Sequence, residues 1–292
     1  MTKHKLYIDD AKHALTLIPA SSIDLIITGP PYWNEVIYSN QPGQLSAIAD
    51  YQIFLQKITE IWRQCGQALK PGGILAFWVH DLYRPSSNGL NYIPLHADLL
   101  KTFPANLALR QISVWDRYLS RVRDYIPFKE GTKYQYIIIF QKEGRHSANQ
   151  NLTAKSLREE FWKPIWRHKT TPKLLGSRLL FRILFNIIEP FSDKIDFIKR
   201  KGKQLLKDNY RFTEYKTTCP PEIARRLIGE FSQVGDTILD PFLGSGTSMQ
   251  VADRLKRKCL GIEINSEAVP AILNRIEKNK IEIIHSSNDM AT

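Results

Sequence analysis

The chain has 292 residues, enough to bury a large core, and its 43% hydrophobic and 24% charged content is ordinary for a globular protein. A net charge of +12 favours an acidic partner, most often nucleic acid. The three cysteines (Cys65, Cys219, Cys259) form no CxxC pair, which argues against a zinc site or disulfide framework and fits a reducing cytoplasm; the most apolar run, Leu179 to Ile188, is broken by Arg182 and Asn186 and is too short to span a bilayer.

Lys5 to Ile8 reads as a short strand ending at Asp9-Asp10, followed by a helix over Ala11 to Ile18. Ile23-Asp24-Leu25-Ile26-Ile27 has the β-branched, apolar texture of a buried parallel strand. It runs into Thr28-Gly29-Pro30-Pro31-Tyr32-Trp33, where two prolines with no N–H end the ladder and leave carbonyls free to face a ligand. Asn34 to Asp50, polar and Gly/Pro-bearing, reads as a loop near the site. Tyr51 to Leu69 has apolar residues at helical spacing, and Lys70-Pro71-Gly72-Gly73 stops it. Ile74 to Val79 is a further strand, and His80 to Asn91 a second loop. Leu95 to Thr102 reads as helix, and Leu107 to Trp115 and Tyr134 to Gln141 as strands. This alternation predicts a mainly parallel sheet with helices on both faces.

After Lys142 the texture changes. Residues 145–216 hold seventeen Lys/Arg against seven Asp/Glu and so supply +10 of the +12. No strand–helix alternation is visible there. The segment reads as an inserted basic region between a first part, residues 1–144, and a third, residues 217–292. Arg167, Lys169, Lys199, Arg200, Lys201 and Lys203, together with Trp33, are its candidate contacts to nucleic acid.

From Pro220 the alternation returns. Pro220-Pro221-Glu222 opens a helix, and Thr237 to Leu239 is a strand. Asp240-Pro241-Phe242-Leu243-Gly244-Ser245-Gly246-Thr247 is a loop, and Ser248 to Leu255 a helix. Lys258 to Ile262 is a strand ending at Glu263, Ser266 to Lys278 a helix, and Ile281 to Ile284 a last strand. Strand, glycine loop, helix, strand and terminal acid make a nucleotide-binding unit. Glu263 stands 23 residues beyond Asp240, where an acid can take both hydroxyls of a ribose. A dinucleotide fingerprint would need glycine where Met249 stands, and a phosphate loop would need lysine where Thr247 stands. A glycine loop flanked by acids suits a ligand without phosphates, such as S-adenosylmethionine, whose amino-acid end Asp240 could meet. No metal site is read.

Asp240 to Thr247 resembles the cofactor loop of amino-methylating DNA methyltransferases, and Thr28 to Trp33 resembles their Ser/Asp/Asn-Pro-Pro-Tyr motif. Asp10 is similar to the acid that faces the cofactor adenine in that family. Residues 51–79, Trp115-Asp116, Tyr134-Gln135-Tyr136 and Cys219 to Ile228 match further blocks in the same order, and the basic insert is unmatched. The catalytic motif precedes the cofactor loop, which is the circularly permuted β arrangement of the family. The resemblance implies a Rossmann-like methyltransferase fold and cofactor contacts at Asp10, Asp240, Phe242, Gly244, Ser245, Gly246, Thr247 and Glu263. It implies a target-base site at Thr28, Gly29, Pro30, Pro31 and Tyr32. It implies double-stranded DNA as substrate, base flipping with Tyr32 stacked on the base, and room for a cognate restriction endonuclease as partner. Pro-Pro-Tyr-Trp and Pro-Pro-Glu look most like cytosine-N4 members, with adenine-N6 the alternative. An RNA methyltransferase, or a non-catalytic binding relative, is the remaining reading. One departure stands out: Gly29 offers no side chain where the family has Ser, Asp or Asn.

Overall fold

The computed structural model describes residues 3–35, 41–87, 89–116, 134–144, 165–167 and 221–285. Its first elements are β1 (His4–Ile8), α1 (Ala11–Ala14), β2 (Ile23–Thr28), α2 (Tyr51–Ala68), β3 (Leu69–Val79), β4 (Leu82–Ser86), β5 (Gly89–Ile93) and α3 (Leu95–Leu100). They are followed by β6 (Leu107–Asp116), β7 (Tyr134–Lys142), β8 (Ile165–Arg167), α4 (Pro221–Phe231), β9 (Thr237–Asp240), α5 (Thr247–Arg254), β10 (Lys258–Glu263), α6 (Val269–Leu273) and β11 (Ile281–His285).

Nine strands form one sheet in the order β11-β1-β10-β9-β2-β3-β7-β6-β8. Only β7 runs against the rest, pairing antiparallel with both β3 and β6. The strands of the first and third parts of the chain interleave, because β9 and β10 lie between β1 and β2. Neighbouring side chains on each strand go to opposite faces. Leu25 and Ile27 pack with Ile223, Leu227 and Ile228 of α4, while Ile26 and Phe77 pack with Phe54, Ile58 and Trp62 of α2. The result is a three-layer α/β sandwich, with the mainly parallel sheet expected.

Helix α2 starts where Asp50 accepts a hydrogen bond from Ile53 N at 2.8 Å, satisfying a donor that the first turn leaves free. Four local expectations need correction. The proline–glycine run 70–73 does not separate helix from strand. It is an irregularity inside β3, between Leu69 opposite Ile23 and Ile74 opposite Leu25. The expected loop His80 to Asn91 contains the hairpin β4–β5; Pro85 is tolerated there because a two-stranded ribbon has unpaired edges. The helix expected over Ser266 to Lys278 is only α6 between short 3-10 turns, Ser266–Ala268 and Lys278–Lys280. The basic segment, in which no strand–helix alternation is visible in sequence, contributes β8, which adds to the sheet with Arg167 in register with Asp116. Lys169, Lys199, Arg200, Lys201 and Lys203 lie outside the described residues.

Candidate active site

Parallel strands all point their C-terminal ends to one edge, and the two singled-out stretches end side by side there. β2 delivers Thr28 and the Pro-Pro turn, and β9, its direct neighbour, delivers Asp240. Thr28 Oγ1 donates to Asp240 Oδ1 at 2.7 Å, across 212 residues of chain. Ser248 Oγ donates to Asp240 Oδ2, and Phe242 N donates to Oδ1 at 3.1 Å. Asp240 is 3% exposed, and burial pushes its carboxyl up to about 6 despite these donors. Asp240 therefore ties the turn of β9 to the turn of β2 and to the start of α5. It does not line the cavity, where contact with a ligand's amino-acid end was expected.

The cavity beside it is lined from both stretches. Gly29 and Pro31 come from the first, Phe242 and Gly244 from the second, and Glu263 from the end of β10. Glu263 is held in place by Gly244 N donating to Oε2 at 2.7 Å and Asn265 N donating to Oε1 at 2.9 Å. Each carboxylate oxygen has a second lone pair, so acceptor capacity remains for a ligand hydroxyl. Burial raises the Glu263 carboxyl above its ordinary range. Asp10 caps α1, accepting from Lys12 N at 2.9 Å, and also lines the cavity.

Three carboxylates, those of Asp9, Asp10 and Glu263, line this space, and no lysine or arginine does so among the described residues. That acceptor set fits a ligand carrying hydroxyls and positive charge, and it would repel phosphates. S-adenosylmethionine meets this test. Gly244 (φ +56) lies on the cavity wall in a left-handed conformation that suits glycine. Gly246 (φ +82) does not line the cavity; a Cβ there would meet Ile272 at 3.1 Å, so its glycine serves the turn into α5. Ser245 and Thr247 are buried in the same turn, and Arg275 donates to Ser245 Oγ at 3.1 Å.

The aromatic pair of the first stretch is packed rather than open. Tyr32 is 5% exposed, with the His80 ring 4.1 Å from its own and Gln135 Nε2 donating to its hydroxyl at 3.2 Å. His80 also meets Glu35 at 3.1 Å. Trp33 packs on Tyr51 and lies under the Arg84 guanidinium, whose Nη2 donates to the Trp33 carbonyl at 2.5 Å. Asp81 accepts from the Tyr92 hydroxyl and from His96 N, so it anchors the hairpin and the start of α3. Cys65 and Cys259 are buried free thiols, and burial pushes both up, away from nucleophilic use.

Sequence reasoning missed Asp9 and Asn265, and it set the loop Asn34 to Asp50 near the site without singling out Gly43 to Ser46; all of these are on the cavity wall. Asp9 was visible as the neighbour of Asp10. Gly43 to Ser46 reaches the site because Asn34 N donates to Ser46 O at 3.1 Å, folding the loop back on the Pro-Pro turn.

A family model for N6 and N4 enzymes, described as DNA methylase, matches residues 23–274. The type II methyltransferase M.MjaI of Methanocaldococcus jannaschii is 23% identical over 94% of this chain and 91% of its own length. The DNA adenine methyltransferase YhdJ of Escherichia coli is 28% identical over 92% of this chain and 81% of its own. Among solved structures, TTHA0409 of Thermus thermophilus in complex with S-adenosyl-L-methionine is 25% identical, with a TM-score of 0.63, covering 96% of this chain and 99% of that one. The cytosine-N4-specific PvuII DNA methyltransferase shares the fold at 17% identity and a TM-score of 0.62, covering 97% of this chain and 89% of that one.

Proposed function

The chain belongs to the N6/N4 DNA methylase family, and from that premise we propose that it methylates the exocyclic amine of one base at a specific site in double-stranded DNA, with cytosine N4 the target. The cofactor is S-adenosylmethionine, and its sulfonium supplies the electrophilic methyl group. The observation that carries the reading is one cavity lined both by Gly29 and Pro31 of the Pro-Pro turn and by Gly244 and Glu263 of the cofactor unit. A base amine held at the turn thus faces whatever Glu263 and Gly244 hold, without a covalent intermediate on the protein.

The turn's work is positioning and electrostatics. β2 ends at Thr28, and the two prolines that follow lack N–H groups, so the Gly29 and Pro30 carbonyls are acceptors for the amine hydrogens. Holding both hydrogens draws the nitrogen lone pair out of conjugation and onto the methyl donor. The base must leave the duplex to reach this turn. Burial of Tyr32 against His80 leaves it little surface for stacking, so Tyr32 supports the turn from behind and the turn itself meets the base. Pro-Pro-Tyr-Trp supports the choice of cytosine. The basic segment 145–216 is the target-recognition region in this reading, with Arg167, Lys169 and the run Lys199 to Lys203 on phosphates. A restriction–modification setting, with a cognate endonuclease and a place in the cytoplasm beside the nucleoid, belongs to the same proposal. Among the described residues no helix is long and apolar enough to cross a membrane.

The test is incubation of the enzyme with duplex DNA and methyl-labelled S-adenosylmethionine, then digestion and nucleoside mass spectrometry. The expected product is N4-methylcytosine. N6-methyladenine would keep the enzyme class and overturn the base; label appearing only in structured RNA would overturn the DNA assignment.

A further inference from the structure

Gly29 lies one step beyond Thr28, which pairs with Phe77, and so stands beside Trp78 on β3. A Cβ built on Gly29 would lie 2.5 Å from Trp78 Nε1, 2.9 Å from Cε2 and 3.2 Å from Cζ2. Two such atoms cannot approach that closely, so the indole occupies the space in which any side chain at position 29 would begin. Trp78 is 7% exposed, and no described residue accepts a hydrogen bond from its Nε1. Trp33 and Trp62 have buried, unpaired Nε1 groups, but neither fills the space at Gly29. Among the described residues the Trp78 Nε1 is not one of the fully enclosed unpaired groups, so this N–H, placed against a cavity-lining glycine, is open to an acceptor on the ligand.

We propose that Trp78 is a base-contacting residue that replaces the missing side chain of the Pro-Pro motif, donating its indole N–H to the ring nitrogen beside the target amine. The proposal rests on the amine-methylation reading above. An indole N–H can only donate, so it cannot take over the acceptor role of Ser, Asp or Asn. Acceptance from the amine stays with the Gly29 and Pro30 carbonyls. The complementary edge is an amine next to a bare ring nitrogen, which cytosine offers at N3 and adenine at N1. Thymine and guanine carry N–H at the corresponding ring positions and would set donor against donor. Trp78 and the two carbonyls together then read a donor–acceptor pair on the base, and the specificity lies in both members.

The experiment is a cycle in which the base loses its ring acceptor and the enzyme loses the indole donor. Wild-type enzyme and Trp78→Phe are assayed on duplexes carrying the natural target base or its deaza analogue, 3-deazacytosine or 1-deazaadenine according to the base modified. Phenylalanine keeps an aromatic ring in the pocket and removes the donor, with a smaller ring in place of the indole. In the wild type the deaza base is expected to lower kcat/KM about tenfold, the scale of one hydrogen bond. In Trp78→Phe the natural base should show that same loss and the deaza base no further one, with S-adenosylmethionine affinity unchanged by calorimetry. An undiminished deaza penalty in Trp78→Phe, or a loss confined to cofactor affinity, overturns the proposal. If the variant does not fold, the wild type decides alone: equal kcat/KM on natural and deaza duplexes also overturns it. Absence of any transfer by the wild type to natural duplex DNA would instead sink the amine-methylation reading, and this proposal with it.

Discussion

The hydrogen bond from Thr28 to Asp240 can be weighed directly, because both residues are buried, at 0% and 3% exposure, and 2.7 Å separates the two oxygens. Thr28→Val keeps the branched shape and removes the donor. Burial has moved the Asp240 carboxyl from 3.8 to about 6, so it is ionised at pH 8 and largely protonated at pH 5. A bond to a charged acceptor is worth about 1.5–3 kcal/mol and a neutral one about 1 kcal/mol. The variant should therefore lose ~2 kcal/mol in urea unfolding at pH 8 and ~1 kcal/mol at pH 5. The sign follows from linkage. A carboxyl raised in the folded state stabilises fully below its unfolded value of 3.8, and that contribution is lost as pH rises through about 6. Losing the Thr28 donor raises the carboxyl further and carries the loss to higher pH. In an Asp240→Asn background the Thr28→Val cost should shrink and lose its pH dependence, since the charge is gone and the two sites are coupled. An equal cost at both pH values, additive with Asp240→Asn, would refute the view that this bond fastens the two turns through an ionised carboxylate.

Glu263→Ala should weaken S-adenosylmethionine binding by about tenfold or more in titration calorimetry, because it removes a charged acceptor from the cavity and frees Gly244 N; unchanged affinity would move the ribose site elsewhere. Changing Lys199, Arg200, Lys201 and Lys203 together to Ala should weaken binding to all duplexes alike and reduce the slope of log affinity against log salt by about one for each lost phosphate contact. An unaltered slope would make that run a solvated face.

Legibility followed range along the chain. Ile23 to Thr28 carries its own strand signal, and the prolines after it their own stop signal. Gly244, Gly246 and Glu263 belong to one strand–loop–helix–strand unit, so their proximity follows from local order. The register of Gly29 with Trp78 could not be read, because the fit depends on which way one indole leans across two strands. The loop Asn34 to Asp50 reads as lying near the site, but which of its residues form the wall depends on the bond from Asn34 to Ser46. An acid in a glycine loop, such as Asp240, looks exposed in sequence, and only the tertiary partners Thr28 and Ser248 reveal that its oxygens face inward. The hairpin at Leu82 to Ile93 was masked by Pro85 and the polar residues beside it, which read as loop until the second strand is supplied.

The pairing of β2 with β9 sets Leu25 against Ile238 and Ile26 against Leu239. During synthesis the second partner follows the first by more than 200 residues. At about 5–20 residues per second the ribosome takes roughly 10–40 s to cover that distance. Through this interval one edge of β2 has no mate, though its Leu25 and Ile26 are wholly enclosed in the finished protein. Unmated apolar edges of this kind recruit other chains. The order of the two halves along the gene therefore imposes a waiting time on the nascent protein. Moving residues 221–285 ahead of residue 3 would shorten that interval, and it should raise the yield of monodisperse enzyme at high expression rates without altering a single contact of the finished sheet.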